Sequence, residues 1–139
     1  MYYVKDTPQA TVTISYQGRV YKTFNGPMAQ ERFENEVRAL QFLEQNNCSF
    51  VPRLLEVDSE ALQIATTHCG SKVERISEKK LNVLFRELER FGVYHGDPHP
   101  RNVTYDDRLG RFCLIDFEFS TIISSGVGLR YDGRRIFLN

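Results

Sequence analysis

Cysteine is sparse in this sequence and shows no pairing pattern: Cys48, Cys69 and Cys113 are odd in number, far apart, and form no C-x-x-C. Neither a disulfide framework nor a zinc knuckle is suggested, and a reducing, cytoplasmic setting is the expected one. Net charge is missing as well, with 18 Lys and Arg against 18 Asp and Glu. No global field draws nucleic acid or an anionic membrane, and neither is expected as a partner. No apolar run approaches the roughly 18 residues that span a bilayer, and "MYYVKDTPQA" lacks the basic-then-apolar pattern of an export signal. Internal repeats and low-complexity segments are also missing. What remains is 139 residues, 41% hydrophobic and 26% charged, the balance of one globular domain that buries roughly two-thirds of its unfolded surface.

The pattern along the chain alternates between strand and helix signals. From Ala10 to Phe24 it is rich in Val, Thr, Tyr, Ile and Phe around Gln17 and Gly18, which predicts a β-hairpin. Asn25, Gly26 and Pro27 punctuate, and Pro27 has the fixed φ that suits a helix opening. From Met28 to about Gln45, Phe33, Val37, Leu40 and Leu43 recur at helical spacing, with Glu36 inside the apolar stripe rather than opposite it. "FVPRLLEVDSEALQIATT" predicts two more strands around a turn at residues 58–60. Ser77 is a helix-start signal, Ile76 can staple against Leu81, and Gly92 falls just past the expected end. "VTYDDRLGRFCLID" then predicts a second hairpin, with Asp116 at the end of its second strand. Cys69 and Cys113 are expected as small buried apolar residues.

Between that helix and that hairpin lies "YHGDPHPRNV", with more donors, acceptors and charge than a chain reversal requires. Asp97, Asn102 and Asp116 offer hard oxygen donors of the kind Mg²⁺ takes one or two of, alongside substrate phosphates. A loop Asp that holds no metal can accept a proton from an attacking hydroxyl.

The spacing D-x4-N, an apolar strand and then "IDF" resembles the catalytic core of the protein-kinase-like superfamily. The form "HGDPHPRN" followed by "LIDFE" is most similar to the branch holding aminoglycoside and choline phosphotransferases, small atypical kinases and lipopolysaccharide-core kinases, whose loop reads approximately HGD-x-H-x-x-N. The resemblance spans roughly residues 10–120. It implies an α+β, protein-kinase-like fold with a β-rich N-lobe carrying one helix (about 1–66), a hinge (67–70), a strongly truncated C-lobe (71–123) and a tail (124–139). It implies ATP and Mg²⁺, with transfer of the γ-phosphoryl group to a hydroxyl acceptor that the sequence does not identify.

Residue by residue, the resemblance makes Asp97 the proton acceptor, Asn102 and Asp116 the Mg²⁺ ligands, and Lys22 the phosphate ligand, paired with Glu36. Thr66 is placed at the back of an adenine pocket, with backbone groups near Thr67 and Cys69 facing the base. His95 and His99 orient the loop. The sequence departs from the family where "KDTPQA" stands in place of a glycine-rich loop and where only 23 residues follow Asp116. A partner protein or a second copy is expected to complete the truncated lobe. Two other readings compete: a pseudokinase serving as a nucleotide- or partner-binding module, and a zinc or iron hydrolase built on His95, Asp97 and His99. Arg130, Arg134 and Arg135 in the tail form either a solvated face or a contact for phosphate or an acidic partner.

Overall fold

β-branched and aromatic residues in the first 66 positions favour strands, and five of them form. In the computed structural model, which describes residues 2–131 and 136–138 with side chains for 5–130, the chain begins β1 (Tyr2–Asp6), β2 (Ala10–Ile14), β3 (Val20–Phe24), α1 (Ala29–Gln45). It continues β4 (Leu54–Asp58), β5 (Gln63–Thr66), β6 (Ser71–Lys72), α2 (Glu78–Arg90), β7 (Val93–Tyr94). The final elements are β8 (Val103–Asp106), β9 (Arg111–Leu114), β10 (Thr121–Ile122), β11 (Val127–Tyr131) and β12 (Ile136–Leu138). The architecture is α+β and agrees with a small, truncated kinase-like fold.

The first sheet is antiparallel in the order β1-β2-β3-β5-β4. Its centre is β3, where Lys22 lies opposite Val12 on one side and Ile64 on the other. β1 is absent from the sequence reading. Its short "YYVKD" run carries two charges and pairs on one side only, with an irregular register between Tyr3 and Lys5. The β2–β3 hairpin forms as expected, with Gly18 at φ 80°.

Helix α1 starts at Ala29, and Pro27 does not open it. Gly26 and Met28 both take left-handed backbone, φ 76° and 55°, and Met28 is the cap residue without a side-chain cap bond. The turn through Gly26 sets the entry, leaving Pro27 outside. The inward stripe is as expected: Phe33, Leu40 and Leu43 are buried, Val37 is half-buried, and Glu36 is buried with them. Ser77 caps α2 by accepting from the Lys80 N–H at 3.1 Å, and Gly92 follows at φ 93°.

The rest of the chain forms two small sheets, β6-β8-β9 and β12-β11-β10-β7. In the tail β11 pairs with both β10 and β12, and Arg130, opposite Phe137 in the ladder, is exposed, as a solvated face would be. Arg134 and Arg135 lie outside the described residues. α1 touches β3 and β4 of the first sheet and β10 and β11 of the last. One apolar core, from Phe24 and Phe33 through Leu88 and Val93 to Leu114 and Phe117, runs through all the layers. No helix among the described residues is long and apolar enough to cross a membrane.

Crossing from β5 to β6 depends on Gly70. Its φ is 91°, and a Cβ there would meet the Tyr105 carbonyl oxygen at 2.0 Å. Gly18 has a similar φ of 80° but nothing within 4 Å of its missing Cβ. Denaturant unfolding should therefore separate two substitutions. Gly18→Ala is expected to cost about 1 kcal/mol, for left-handed backbone alone. Gly70→Ala should cost about 3 kcal/mol or more, because a backbone oxygen must also move. Equal costs would refute the close-approach argument.

Candidate active site

Alternation along β3 turns Lys22 inward, and the helical period puts Arg32, Asn35 and Glu36 on one face of α1. All four are buried. The Lys22 ammonium is 2.7 Å from Glu36 Oε1, 2.9 Å from Asp116 Oδ1 and 2.8 Å from Glu118 Oε2, so each of its three N–H bonds has a carboxylate. Arg32 extends the network, donating to Glu118 Oε1 at 2.6 Å, to the Pro27 carbonyl at 3.0 Å, and to the Asn25 carbonyl. Glu36 Oε2 accepts from the Phe117 N–H at 2.9 Å. Asn35 donates to the carbonyls of Glu118 at 2.8 Å and Ser120 at 2.9 Å. Segment 116–120 is thereby fastened to α1, and Asp116 itself adopts a left-handed φ of 64°.

Electrostatics follow from this packing. Burial opposes the Lys22 ammonium, but Asp116, Glu36 and Glu118 outweigh it and raise its pKa well above the usual value. For Asp116, burial pushes up, while Lys22 first and Lys5 next bring the carboxyl down to about 2. Burial also works against Glu118, which Lys22 and Arg32 hold below its ordinary value. Glu36 moves the other way, because burial exceeds the pull of Lys22. One carboxylate oxygen from each of Glu36, Asp116 and Glu118 lies within 4.8 Å of the others. Lys22 already fills the space among them, so this trio is a cation site occupied by the protein's own ammonium.

The second polar cluster sits on the loop after β7. His95 accepts the Asp97 N–H on Nδ1 at 3.2 Å, which leaves Nε2–H to donate to the Ile115 carbonyl at 2.8 Å. Burial lowers its pKa, and its ring packs between Phe85 and Phe117 at 5.0 Å from each. Gly96, at φ 86°, approaches so closely that a Cβ would lie 1.9 Å from the Phe119 carbonyl oxygen. Asn102 donates to the Asp97 carbonyl at 2.9 Å and to its Oδ2 at 3.1 Å. His99 Nδ1 caps a 3-10 turn at Pro100–Asn102 by accepting from the Arg101 N–H at 3.2 Å. The Ile115 N–H donates to the Asn102 carbonyl at 2.9 Å, setting this loop beside Asp116.

Both His95 nitrogens are therefore engaged, and no histidine belongs to a cluster of potential metal ligands among the described residues. The bonds at His95 speak against the hydrolase reading based on His95, Asp97 and His99. The structure brings Lys22, Glu36 and Asp116 together, and Asp97, Asn102, His95 and His99 on one adjoining loop. Thr66 is buried at the end of β5. The Thr67 N–H is taken by the Arg53 carbonyl at 3.0 Å, and the Cys69 carbonyl accepts from Thr104 Oγ1 at 2.5 Å. Neighbouring Cys113 and burial push the Cys69 thiol up.

Sequence reasoning missed Arg32, Asn35 and Glu118. A signal existed for the first, one turn before Glu36 on the same face, and for the last, within "IDFE". Nothing local marked Asn35.

Comparison with known proteins bears on this geometry. Residues 60–124 match a phosphotransferase enzyme family, APH. The match supports the protein-kinase-like superfamily and a kinase-type enzyme. It contains the 95–102 loop and the 116–118 segment but not Lys22, Arg32 or Glu36. No curated protein matches the chain.

The buried network makes two predictions. Lys22→Met, which leaves three carboxylates without their shared cation, should lower stability by about 3–5 kcal/mol. Asp116, with a folded pKa of about 2 against an ordinary 3.8, contributes stability that is complete above about pH 4 and is lost as pH falls through 2. In metal-free buffer, Asp116→Asn should therefore show a shallower loss of stability between pH 4 and 2 than the wild type. Parallel curves would contradict the assigned shift.

Proposed function

We propose that this chain is an ATP- and Mg²⁺-dependent phosphotransferase that delivers the γ-phosphoryl group to a hydroxyl. The observation that carries the reading is the Lys22–Glu36–Asp116 junction directly beside the Asp97–Asn102 pair. The donor set fits Mg²⁺: the Asn102 amide nitrogen is consumed by Asp97, leaving Oδ1 for a cation, and Asp116 keeps Oδ2 beyond the Lys22 contact. Two hard oxygens, with water and phosphate for the rest, suit this ion. When bound, Mg²⁺ supplies neutralisation of phosphate charge.

The protein groups divide the remaining work. Asp97 Oδ2 takes the contacts from Arg101 and Asn102, and Oδ1 accepts no hydrogen bond among the described residues, so it is the oxygen that orients the acceptor hydroxyl and takes its proton. As that O–H bond breaks, the hydroxyl oxygen bonds to the γ-phosphorus, the bond from phosphorus to the β–γ bridging oxygen breaks, and ADP leaves. Lys22, held by Glu36, meets the α and β phosphates in exchange for its contact with Asp116. His95 holds the loop as a neutral ring. With the Thr67 N–H engaged by Arg53, the adenine base uses the remaining hinge amides, and Thr66 closes the pocket behind it.

Calorimetric titration of ATP with and without Mg²⁺, followed by a turnover assay over hydroxyl acceptors, tests the reading. Asp97→Asn should abolish phosphoryl transfer, a loss of at least about 10²-fold, while nucleotide affinity stays within a few-fold of wild type. Undiminished transfer by that variant would remove Asp97 from the reaction. Failure of the wild type to bind ATP in either condition would overturn the reading as a whole.

A further inference from the structure

Cys69 and Cys113 take no part in the chemistry above, yet the fold sets them against each other. In the β8–β9 pair Thr104 stands directly opposite Cys113. Residues opposite each other in an antiparallel pair share a face of the sheet, so Thr104 and Cys113 look the same way. What they look at is the crossover from β5 to β6. Thr104 Oγ1 donates to the Cys69 carbonyl at 2.5 Å, and the next residue, Gly70, runs so close to β8 that a Cβ would lie 2.0 Å from the Tyr105 carbonyl oxygen. Cys69 is thereby held against the β8–β9 pair at the level of Cys113, and the two thiols share a hydrogen bond.

This contact makes the sulfurs unequal. Neighbouring Cys113, and then burial, push the Cys69 thiol up, whereas the Cys69 S–H holds the Cys113 thiol down against burial. A proton kept on Cys69 and aimed at Cys113 favours thiolate on the second sulfur, and thiolate is the nucleophilic form. Arg111, one pair along the same ladder, adds positive charge near Cys113. Cys48 differs: burial pushes its thiol up to about 11, and its main pull downward is the Phe50 backbone. Access is selective as well. Cys69 is 8% exposed and Cys113 is fully buried behind it, so the pair admits a water-sized oxidant and rejects a bulky one.

We propose that Cys69 and Cys113 form a redox modification site, a dithiol that hydrogen peroxide closes to an intramolecular disulfide. The Cys113 thiolate attacks one peroxide oxygen, the O–O bond breaks, and the departing hydroxide takes up the proton the thiol released, leaving a sulfenic acid and one water. The Cys69 sulfur then attacks the Cys113 sulfur, the S–O bond breaks, and the hydroxyl leaves with the Cys69 proton as a second water. Two thiols lose two electrons to one peroxide. The S–S bond, about 2.05 Å long, replaces a contact the fold has already made. It joins the crossover that follows Thr66 to the strand that leads into Asp116, and it does not depend on the phosphotransferase reading.

The test treats fully reduced protein in native buffer with hydrogen peroxide or, in parallel, with glutathione disulfide, then denatures it in an alkylating reagent and maps the peptides by mass spectrometry. Peroxide should remove two hydrogens and yield a Cys69–Cys113 cross-linked peptide with Cys48 alkylated; glutathione disulfide should leave no adduct. Cys69→Ala and Cys113→Ala should each lose the cross-link, and Cys48→Ala should form it at the wild-type rate. Oxidised wild type should melt at a higher temperature than reduced, because the bond closes a long loop of the unfolded chain. A cross-link through Cys48, oxidation that stops at sulfenic or sulfinic acid on separate cysteines, or a stable glutathione adduct in place of the cross-link would each overturn the inference. So would a cross-link that forms only in denaturant or that lowers the melting temperature. The peptide map of the wild type decides the pairing without requiring that a variant at buried Cys113 fold.

Discussion

Lys22 carries its ammonium into the interior and meets three carboxylates there, one from α1 and two from the segment after β9. The five-stranded sheet, the long helix and the strand-end segment share this point. Counting Arg32, two cations face three anions, and all but Asp116 are buried, its side chain being 30% exposed. Such a network is a weak source of net stability, because a well-packed apolar replacement is often as stable. Its value is in register. Helix α1 can occupy only the azimuth that brings Arg32, Asn35 and Glu36 onto segment 116–120 together, and that segment can take only the path that presents Asp116 with its left-handed backbone. The geometry of the second polar cluster depends on this in turn, because the Ile115 amide and carbonyl hold Asn102 and His95.

Floor and mouth differ in kind. On the floor, buried charges are matched one against another and the left-handed turn is enforced by hydrogen bonds to backbone. At the mouth, Asp97 and Arg101 are partly solvated, and their pairing is the exchangeable sort whose energy water screens. The buried groups are thus each fixed by several partners, whereas the Arg101–Asp97 contact lies at the surface. His95 divides the two zones. Burial lowers its pKa, and the neutral ring fits the two bonds it makes, accepting from the Asp97 N–H and donating to the Ile115 carbonyl.

Much of this was legible in the sequence because local rules and motif spacing agreed. The hairpin around Gly18, the stripe on α1 with its anomalous Glu36, the Ser77 cap and the two polar clusters at strand ends were each visible from neighbouring residues. β1 was not, because an edge strand with Lys5 and Asp6 has neither alternation nor length, and its existence depends on the partner strand. The helix entry was misread at Pro27 because two left-handed residues around it, Gly26 and Met28, control the turn. Arg32 and Asn35 were invisible for another reason. The bonds that tie them to the site, to Glu118 and Ser120, reach more than 80 positions along the chain, to a segment whose place follows only from tertiary packing. Glu118 was in view, next to the motif, but only the three-dimensional meeting of Lys22 and Arg32 gives it a purpose.

The crossover between β5 and β6 has an unusual lack of slack. Gly70 lies against the Tyr105 carbonyl, the Thr104 hydroxyl takes the Cys69 carbonyl, Arg108 takes that of His68, and Thr67 is laced to Arg53 on both its amide and its hydroxyl. A connector so tightly stitched acts as a splint. Loosening one sheet strips hydrogen bonds from the strands of the next, and the continuous core through Phe50 and Leu114 adds to that dependence. Coupling of this kind favours unfolding of the five-stranded sheet and the β6-β8-β9 sheet as one cooperative unit.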